Sequence, residues 1–518
     1  MKSTDQPPSP SQFEDLRQRL FEEIFQARLR VYAIGQPSPM ERLELPGVNA
    51  EIWLKREDLS PIHAYKWRGA FNRMAKMSEE ERARGVICAS AGNHAQGVAL
   101  AASHLGIDAE IVMPVSTPRM KQVAVERHGG DRARITLHGD NFDEALAEAL
   151  RRCEAEGRVF IHPYDDLAIM GGQGTLADEV VMSGRGPFDV AYLQIGGGGL
   201  AAGVACWLRA HWPSIRLVGV EGVDQASMAA AVRVGKPVRL DDLDIFCDGT
   251  AVRRAGDLTT PLCAGLLDEF ITVTNDEVCA AIQTLWEHCR LVPEPSGAMG
   301  LAGLLQGAER LSGERALVLV CGANMDFGRL AWIARHAGIG AHRRRYYRVG
   351  MDERRGSLIE FLEAHLEGIN IIEFQYGKTD TERAWFTLGL EATPPAFELL
   401  ERRFREHGVP WEEVTGQADA EFRVIRFIPA LFHLPIFIRH EFPERPGALH
   451  DFLVPAAQMA SICYFNYIFT GEEVGRALIG FEFESEEQRA RFTAWLDTSG
   501  MRHSQIQPGA LARIVRGD

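Results

Sequence analysis

From Ile52 to about Met325 the chain alternates short apolar runs with helical stretches, and this alternation restricts the fold more than any other feature of it. Strands are expected at Val86–Ala89, Ala109–Met113, Ile135–Leu137, Val190–Ile195, Arg216–Val220 and Ala316–Val320. Strands separated by helices pair in parallel, with helices on both faces of the sheets, so the class is α/β. Ligands in such sheets sit beyond the carboxyl ends of the strands.

Three strand-to-helix corners carry chemistry-bearing residues. In the first, a strand-like run (Glu51 to Leu54) leads to SPIHAYKWRGA, and Lys66 sits where extended chain turns into a helix over Trp67 to Met77. The positive end of a helix dipole disfavours a second cation, which helps depress the amine of a lysine that bonds a carbonyl. The alternative is a surface lysine beside Arg68. In the second corner, Ser90, Ala91, Gly92, Asn93 and His94 open SAGNHAQG between an apolar strand and a helix over Ala95 to Leu105. Small residues there admit a ligand to free helix-start N–H groups. In the third, Gly196, Gly197, Gly198 and Gly199 lie between Val190–Ile195 and an Ala-rich helix, Leu200 to Ala210. Flexible backbone at a helix start makes a phosphate cradle. The run lacks the Gly-Lys-Ser/Thr ending of a nucleotide loop, yet it satisfies G-x-G-x-x-A with Glu221 about twenty residues on, so a dinucleotide site stays open at this point.

Taken in order, the three corners resemble those of the fold-type II pyridoxal-phosphate enzymes, and within them the biosynthetic threonine dehydratases (threonine deaminases). Lys55-Arg56-Glu57-Asp58, Gly172-Gln173-Gly174-Thr175, Glu294-Pro295-Ser296-Gly297-Ala298 and Cys321-Gly322-Ala323-Asn324 extend the likeness, which runs from about residue 28 to the C-terminus. The resemblance implies a two-subdomain catalytic region in which Lys66 bonds the pyridoxal phosphate aldehyde and then takes the substrate's α-proton. It places the phosphate on Gly196 to Gly199, Asn93 at the ring's 3-oxygen, Cys321 at the pyridine nitrogen, and the substrate carboxylate in the loop from Ser90 to His94. Threonine would give 2-oxobutanoate and ammonia, the first step of isoleucine synthesis. Isoleucine and valine are the implied effectors and a homotetramer the implied assembly.

Several residues depart from the family pattern. Ala64 and Tyr65 stand where Ser-Phe is usual, and Cys321 where Ser or Thr is usual. A neutral thiol leaves the electron sink moderate, which favours elimination. Ala91 replaces the serine that protonates the second face in related racemases, and it has no proton to give. A PLP enzyme acting mainly on serine and a non-catalytic amino-acid sensor are the rival readings. Glu294 is expected near the cofactor without an assigned role. No metal site is indicated; Glu221 and Asp248 lack ligand spacing for a cation.

The final third contains a repeat at an offset of 91 residues: Glu353, Arg354, Gly356, Leu358, Phe361, Leu362, Ile371, Phe374 and Tyr376 recur as Glu444, Arg445, Gly447, Leu449, Phe452, Leu453, Ile462, Phe465 and Tyr467. Each copy reads as a split βαβ, ferredoxin-like unit. The pair resembles ACT-like regulatory modules, with Gly356 and Gly447 as the effector-binding turns; the alternative is an assembly interface. The expected organisation is a tail over 1–12, a catalytic region over 13–335 beginning with a helix from Phe13 to Arg30, a solvated linker over 336–347 within a connector spanning 331–347, and modules over 348–418 and 419–518. A net charge of −15 argues against nucleic acid and anionic membranes. Nine scattered cysteines without zinc or redox spacing indicate a reducing cytoplasm. The polar N-terminus lacks a signal core, and no apolar run reaches the roughly eighteen residues of a membrane span.

Overall fold

The computed structural model describes residues 9–443, 448–468, 474–499 and 502–506. The chain divides into two compact units, Met1–Gly340 and Ala341–Asp518.

The first unit holds two sheets. Strands Ala133–Leu137, Ala109–Met113, Val86–Ala89 and Val159–Phe160 form a four-stranded parallel sheet. The larger sheet runs Met40–Leu43, Glu51–Arg56, Arg315–Val320, Val190–Gln194, Arg216–Gly222 and Glu269–Val273, parallel except for its antiparallel first pair. The expected α/β alternation and the strand positions are thus realised. The buried strands are continuous apolar runs because helices cover both faces. The glycines of the Gly172–Thr175 motif serve helix packing: a Cβ on Gly172 would come within 2.5 Å of the Arg68 carbonyl, so its absence lets helix Leu167–Met182 touch the helix that follows Lys66.

Two boundary expectations change. The first helix is Pro10–Val31, started by a capping box between Ser9 and Gln12, so residues 10–12 are helical rather than tail, and residues 1–8 lie outside the described set. Leu20, Ile24, Ala27 and Val31 give it a buried face that the cap merely extends backward. The connector is not a solvated linker either. Helix Leu330–Gly340 buries Ile333 and Ala337, and the basic stretch from His342 to Arg345 enters strand Arg344–Asp352, where Arg344 pairs with Glu391 and Arg345 with Glu401. Partnered carboxylates on neighbouring elements turn those charges into fold contacts.

The second unit carries one antiparallel eight-stranded sheet in the order Trp411–Glu413, Arg344–Asp352, Arg383–Glu391, Asn370–Gly377, Ser461–Ile468, Val474–Glu482, Ile436–Pro443 and Arg502–Gln505. Helices Ser357–His365 and Pro394–Glu406 belong to the first copy, Ala448–Ala457 and Glu486–Thr498 to the second, so each copy is a βαββαβ unit. The copies join edge to edge through Asn370–Gly377 and Ser461–Ile468. The repeated aromatics meet at this seam: Phe374 opposes Tyr467, Tyr376 opposes Phe465, and the Phe374 and Phe465 rings lie 4.7 Å apart, edge to face. Among the described residues no helix is long and apolar enough to cross a membrane.

Candidate active site

Lys66 occupies the cap position of helix Trp67–Ala75. Behind it Ala64 bridges Gly322, and the Tyr65 N–H donates to the Cys321 carbonyl, which ties the lysine to the end of strand Arg315–Val320. Ahead of it Arg68 is fully buried, forked onto Glu57 at 2.9 Å through two nitrogens and paired with Glu179, which also takes the buried Lys55 ammonium and the Ser38 N–H. The surface alternative for this stretch therefore falls: a buried, fully partnered ionic cluster fixes the helix that presents Lys66. The Lys55–Asp58 motif stands out in the sequence, but this role does not, because Glu179 lies far along the chain.

The Lys66 amine donates to the Tyr65 phenol at 3.0 Å and approaches the Gly249 carbonyl at 3.4 Å. Its pKa is raised, against the expectation of a depressed amine. Burial pulls the amine down, but Tyr65, and behind it Cys321 and Glu294, push it up by more. The dipole of one short helix is outweighed by these close groups.

The residue after Gly249 closes the glycine loop: a Cβ on Gly196 would meet the Thr250 carbonyl at 2.8 Å, and one on Gly197 would enter the Tyr164 ring at 2.2 Å. Gly198 has φ +95° and packs on Met228 and Thr259, and the Thr259 hydroxyl donates to the Gly197 carbonyl at 2.6 Å. Helix Gly199–His211 follows, and the N–H groups of Gly196 to Ala201 meet no acceptor among the described residues. Six unpaired donors at a helix start, the first four on glycines whose walls leave no room for a Cβ, fit a phosphate group.

Helix Asn93–Leu105 starts at Gly92, and the N–H groups of Ala91, Asn93, His94 and Ala95 likewise meet no acceptor among the described residues, while Gly92 N–H is taken by the Ser90 hydroxyl. The His94 side chain turns inward, with Nε2 2.9 Å from the Ile161 carbonyl, and burial pushes its pKa down to about 3. Only its backbone faces this anion-sized loop. Asn93 donates to Glu294 Oε1 and accepts from Asn324, both at 2.8 Å. Glu294 also takes the Asn324 N–H at 3.0 Å. Burial, then Asp248, raises its carboxyl to about 7, against the lowering by Asn93 and Lys66. Glycines at 249 and 322 make room for it, since a Cβ on either would lie 3.0 Å or less from Oε1.

Cys321 is buried, its thiol 3.6 Å from the Ser296 carbonyl and pushed up to about 12 by burial first and then by Glu294, so it is neutral at physiological pH. Beside it the buried Gln194 Oε1 is an acceptor with no hydrogen-bond partner among the described residues. Gly249 and Thr250 connect the lysine amine to the glycine loop, and the Tyr65 N–H connects it to Cys321, so an amine, a phosphate-sized cradle and a neutral thiol, groups that fit pyridoxal phosphate, belong to neighbouring segments. The dinucleotide alternative loses its acidic residue: Glu221 is buried and accepts the Met228 and Ala229 N–H groups, both at 2.8 Å, as a helix cap. Asp248 pairs with Lys121 at 2.6 Å rather than with Glu221.

In the second unit Gly356 adopts φ +89° immediately before helix Ser357–His365 and borders a cavity. Glu353, Tyr376 and Leu358 from the first copy and Leu453, Ile462 and Phe481 from the second line that cavity. The next residue, Ser357, is buried and its hydroxyl has no partner among the described residues. Gly447 lies outside the described residues.

Residues 32–322 match the family model described as pyridoxal-phosphate dependent enzyme, and 432–515 that of the C-terminal regulatory domain of threonine dehydratase. The chain is 38% identical over 496 residues to the biosynthetic L-threonine dehydratase IlvA of Haemophilus influenzae, covering 94% of each. It is 38% identical over 469 residues to threonine dehydratase 1 of Solanum lycopersicum, covering 88% of this chain and 76% of that one. Among solved structures, the processed threonine deaminase isoform 2 of Solanum lycopersicum superposes with a TM-score of 0.59 at 38% identity, over 62% of this chain and 94% of that one. Maize serine racemase superposes with a TM-score of 0.56 at 29% identity, over 62% and 98%.

Proposed function

We infer the function from the premise that this chain belongs to the pyridoxal-phosphate dependent enzymes, in the branch of the biosynthetic threonine dehydratases. It is a PLP-dependent threonine ammonia-lyase that converts L-threonine to 2-oxobutanoate and ammonia. The observation that carries this reading is the link through Gly249 and Thr250: the Gly249 carbonyl lies 3.4 Å from the Lys66 amine, and Thr250 walls Gly196 at the head of the loop whose N–H groups have no acceptor among the described residues.

Bound pyridoxal phosphate supplies an electron sink for negative charge developing at the amino acid's Cα. The residues of this chain do the rest. The glycine loop would hold the phosphate, Lys66 would bond the aldehyde carbon, and Asn93 would serve the ring's 3-oxygen. N–H groups between Ser90 and Ala95 receive the substrate carboxylate, which orients the α-proton toward Lys66. The Lys66 nitrogen would take that proton as the base. Cys321, a neutral thiol, would serve the pyridine nitrogen as a weak partner that does not fully protonate it. Ala91 offers no hydroxyl to the opposite face, so β-hydroxyl loss prevails over racemisation.

The regulatory unit answers to branched-chain amino acids in this reading, isoleucine as inhibitor and valine as its opponent. A Gly356 turn opening a helix, a buried unpartnered hydroxyl and an apolar wall suit an amino acid whose carboxylate meets the helix start. The working state is a cytoplasmic homotetramer, checked by light scattering. Keto-acid release from threonine and serine, with and without isoleucine, tests the function. Lys66→Ala should abolish release and the borohydride-fixed cofactor link; a link found on another lysine sinks the site assignment. Gly356→Asp and Gly447→Asp should keep basal activity and lose isoleucine sensitivity where each copy binds. Indifference of the wild-type enzyme to every branched-chain amino acid would make the repeat an assembly interface only.

A further inference from the structure

We propose that Tyr65 is the working partner of Lys66: its phenol oxygen holds the lysine nitrogen and accepts the hydrogen bond of the ammonium formed when that nitrogen takes the substrate proton. The proposal rests on Lys66 being the reacting amine.

The geometry is specific. Consecutive side chains on a helix do not face each other, but Tyr65 lies just before the helix begins. Its position is fixed from both sides, with its N–H on the Cys321 carbonyl at 3.2 Å and its own carbonyl taking the Arg68 N–H at 3.1 Å. Arg68 is in turn locked into the buried ionic cluster. The Tyr65 ring packs against the core of the larger sheet. Held in this way, the phenol brings Oη to 3.0 Å from Lys66 Nζ, with the ring centre 4.8 Å away, so the amine sits at the hydroxyl edge of the ring and the oxygen is what meets it. The other acceptor of the amine, the Gly249 carbonyl, is farther, at 3.4 Å.

The remaining groups around Lys66 leave this role to Tyr65. Cys321 is a neutral thiol. Glu294 is engaged by Asn93 and Asn324, with Asp248 behind it paired to Lys121. His94 is pinned to Ile161 as a neutral ring. Burial raises the Tyr65 phenol, so it keeps its proton at physiological pH and acts as an acceptor and dipole, not as a counter-ion. In the step itself the Nζ lone pair takes the Cα proton, an N–H bond forms, and the C–H electron pair stays on Cα. The phenol transfers nothing; it steadies the new ammonium. A phenylalanine at this position, the residue usual in the resembling family, has the ring without the oxygen.

The test is Tyr65→Phe in the full chain, a change that removes one oxygen and keeps the packing. In cofactor-free protein the pH dependence of Lys66 arylation, mapped by peptide mass spectrometry, reads the amine directly. Its midpoint should fall by on the order of one pH unit, the pull of one hydrogen bond to a charged group. In the holoenzyme kcat for threonine should fall on the order of tenfold with KM little changed. Coincident arylation midpoints overturn the proposal, and a lowered midpoint with unchanged kcat overturns its part in turnover. Borohydride fixation of the cofactor on another lysine refutes the Lys66 assignment instead, a result the arylation midpoints do not mimic.

Discussion

Replacing Gly198 by alanine strains the cradle at its most constrained point. The residue has φ +95°, and an added Cβ would stand 2.4 Å from Met228 Cε and 2.8 Å from Thr259 Cβ. Left-handed backbone costs an L-residue roughly 1–2 kcal/mol. The Met228 methyl can swing aside, but Thr259 is held by its 2.6 Å bond to the Gly197 carbonyl, so the loop has to give. Without cofactor the variant loop relaxes; binding must restore the strained form, and the strain then appears in the dissociation constant. The expected weakening of pyridoxal phosphate affinity is roughly five- to thirtyfold. Titration of cofactor-free protein followed by the visible absorbance of the bound cofactor measures it. Gly313→Ala is the control, since it has φ +78° with nothing within 4 Å of the new methyl. It should lower stability slightly and leave affinity alone. Equal affinity in Gly198→Ala and wild type, or equal loss in both variants, refutes the reasoning.

Two further outcomes follow from the same cleft. Glu294 titrates near 7 in the folded protein against an ordinary 4.5, so its contribution is full below about pH 4.5 and is lost as pH rises to 7. Between those limits cofactor-free wild type should lose about 3 kcal/mol relative to Glu294→Gln, read from denaturant midpoints across pH; a flat difference would mean the carboxyl is not held in a desolvated site. Cys321→Ser should retain threonine turnover, while Cys321→Asp should protonate the ring nitrogen and slow keto-acid release; an Asp variant with wild-type rates would remove Cys321 from the ring.

The parts of the site written in contiguous residues are legible in the amino-acid sequence itself. Strand, glycine run and helix follow one another over Val190 to Ala210, and a cradle built from consecutive backbone amides needs no distant partner. The βαββαβ repeat is likewise visible, because identities at a fixed offset carry both periodicity and turn positions. Relations between distant segments are not legible in this way. Nothing local tells that Gly249 supplies the second acceptor for Lys66, that Tyr164 and Thr259 wall the glycine loop, or that Glu179 closes the ionic cluster on Arg68. The inward turn of His94 is hidden for the same reason, since its partner, the Ile161 carbonyl, lies at the end of another strand. The lysine's raised amine comes from the departure at Tyr65, whose hydroxyl the sequence displays but whose direction only the chain path fixes.

The seam between the two repeats has a consequence for how a cell could use this protein. A ferredoxin-like module that pairs edge to edge with a separate copy must find its partner by diffusion, and its pairing rises and falls with concentration. Here Asn370–Gly377 and Ser461–Ile468 lie in one polypeptide, so the partner is present at an effective concentration on the order of millimolar whatever the expression level. The cavity beside Gly356, walled by both copies, is therefore complete in a single molecule. Any signal it receives is read against a threshold that dilution cannot move.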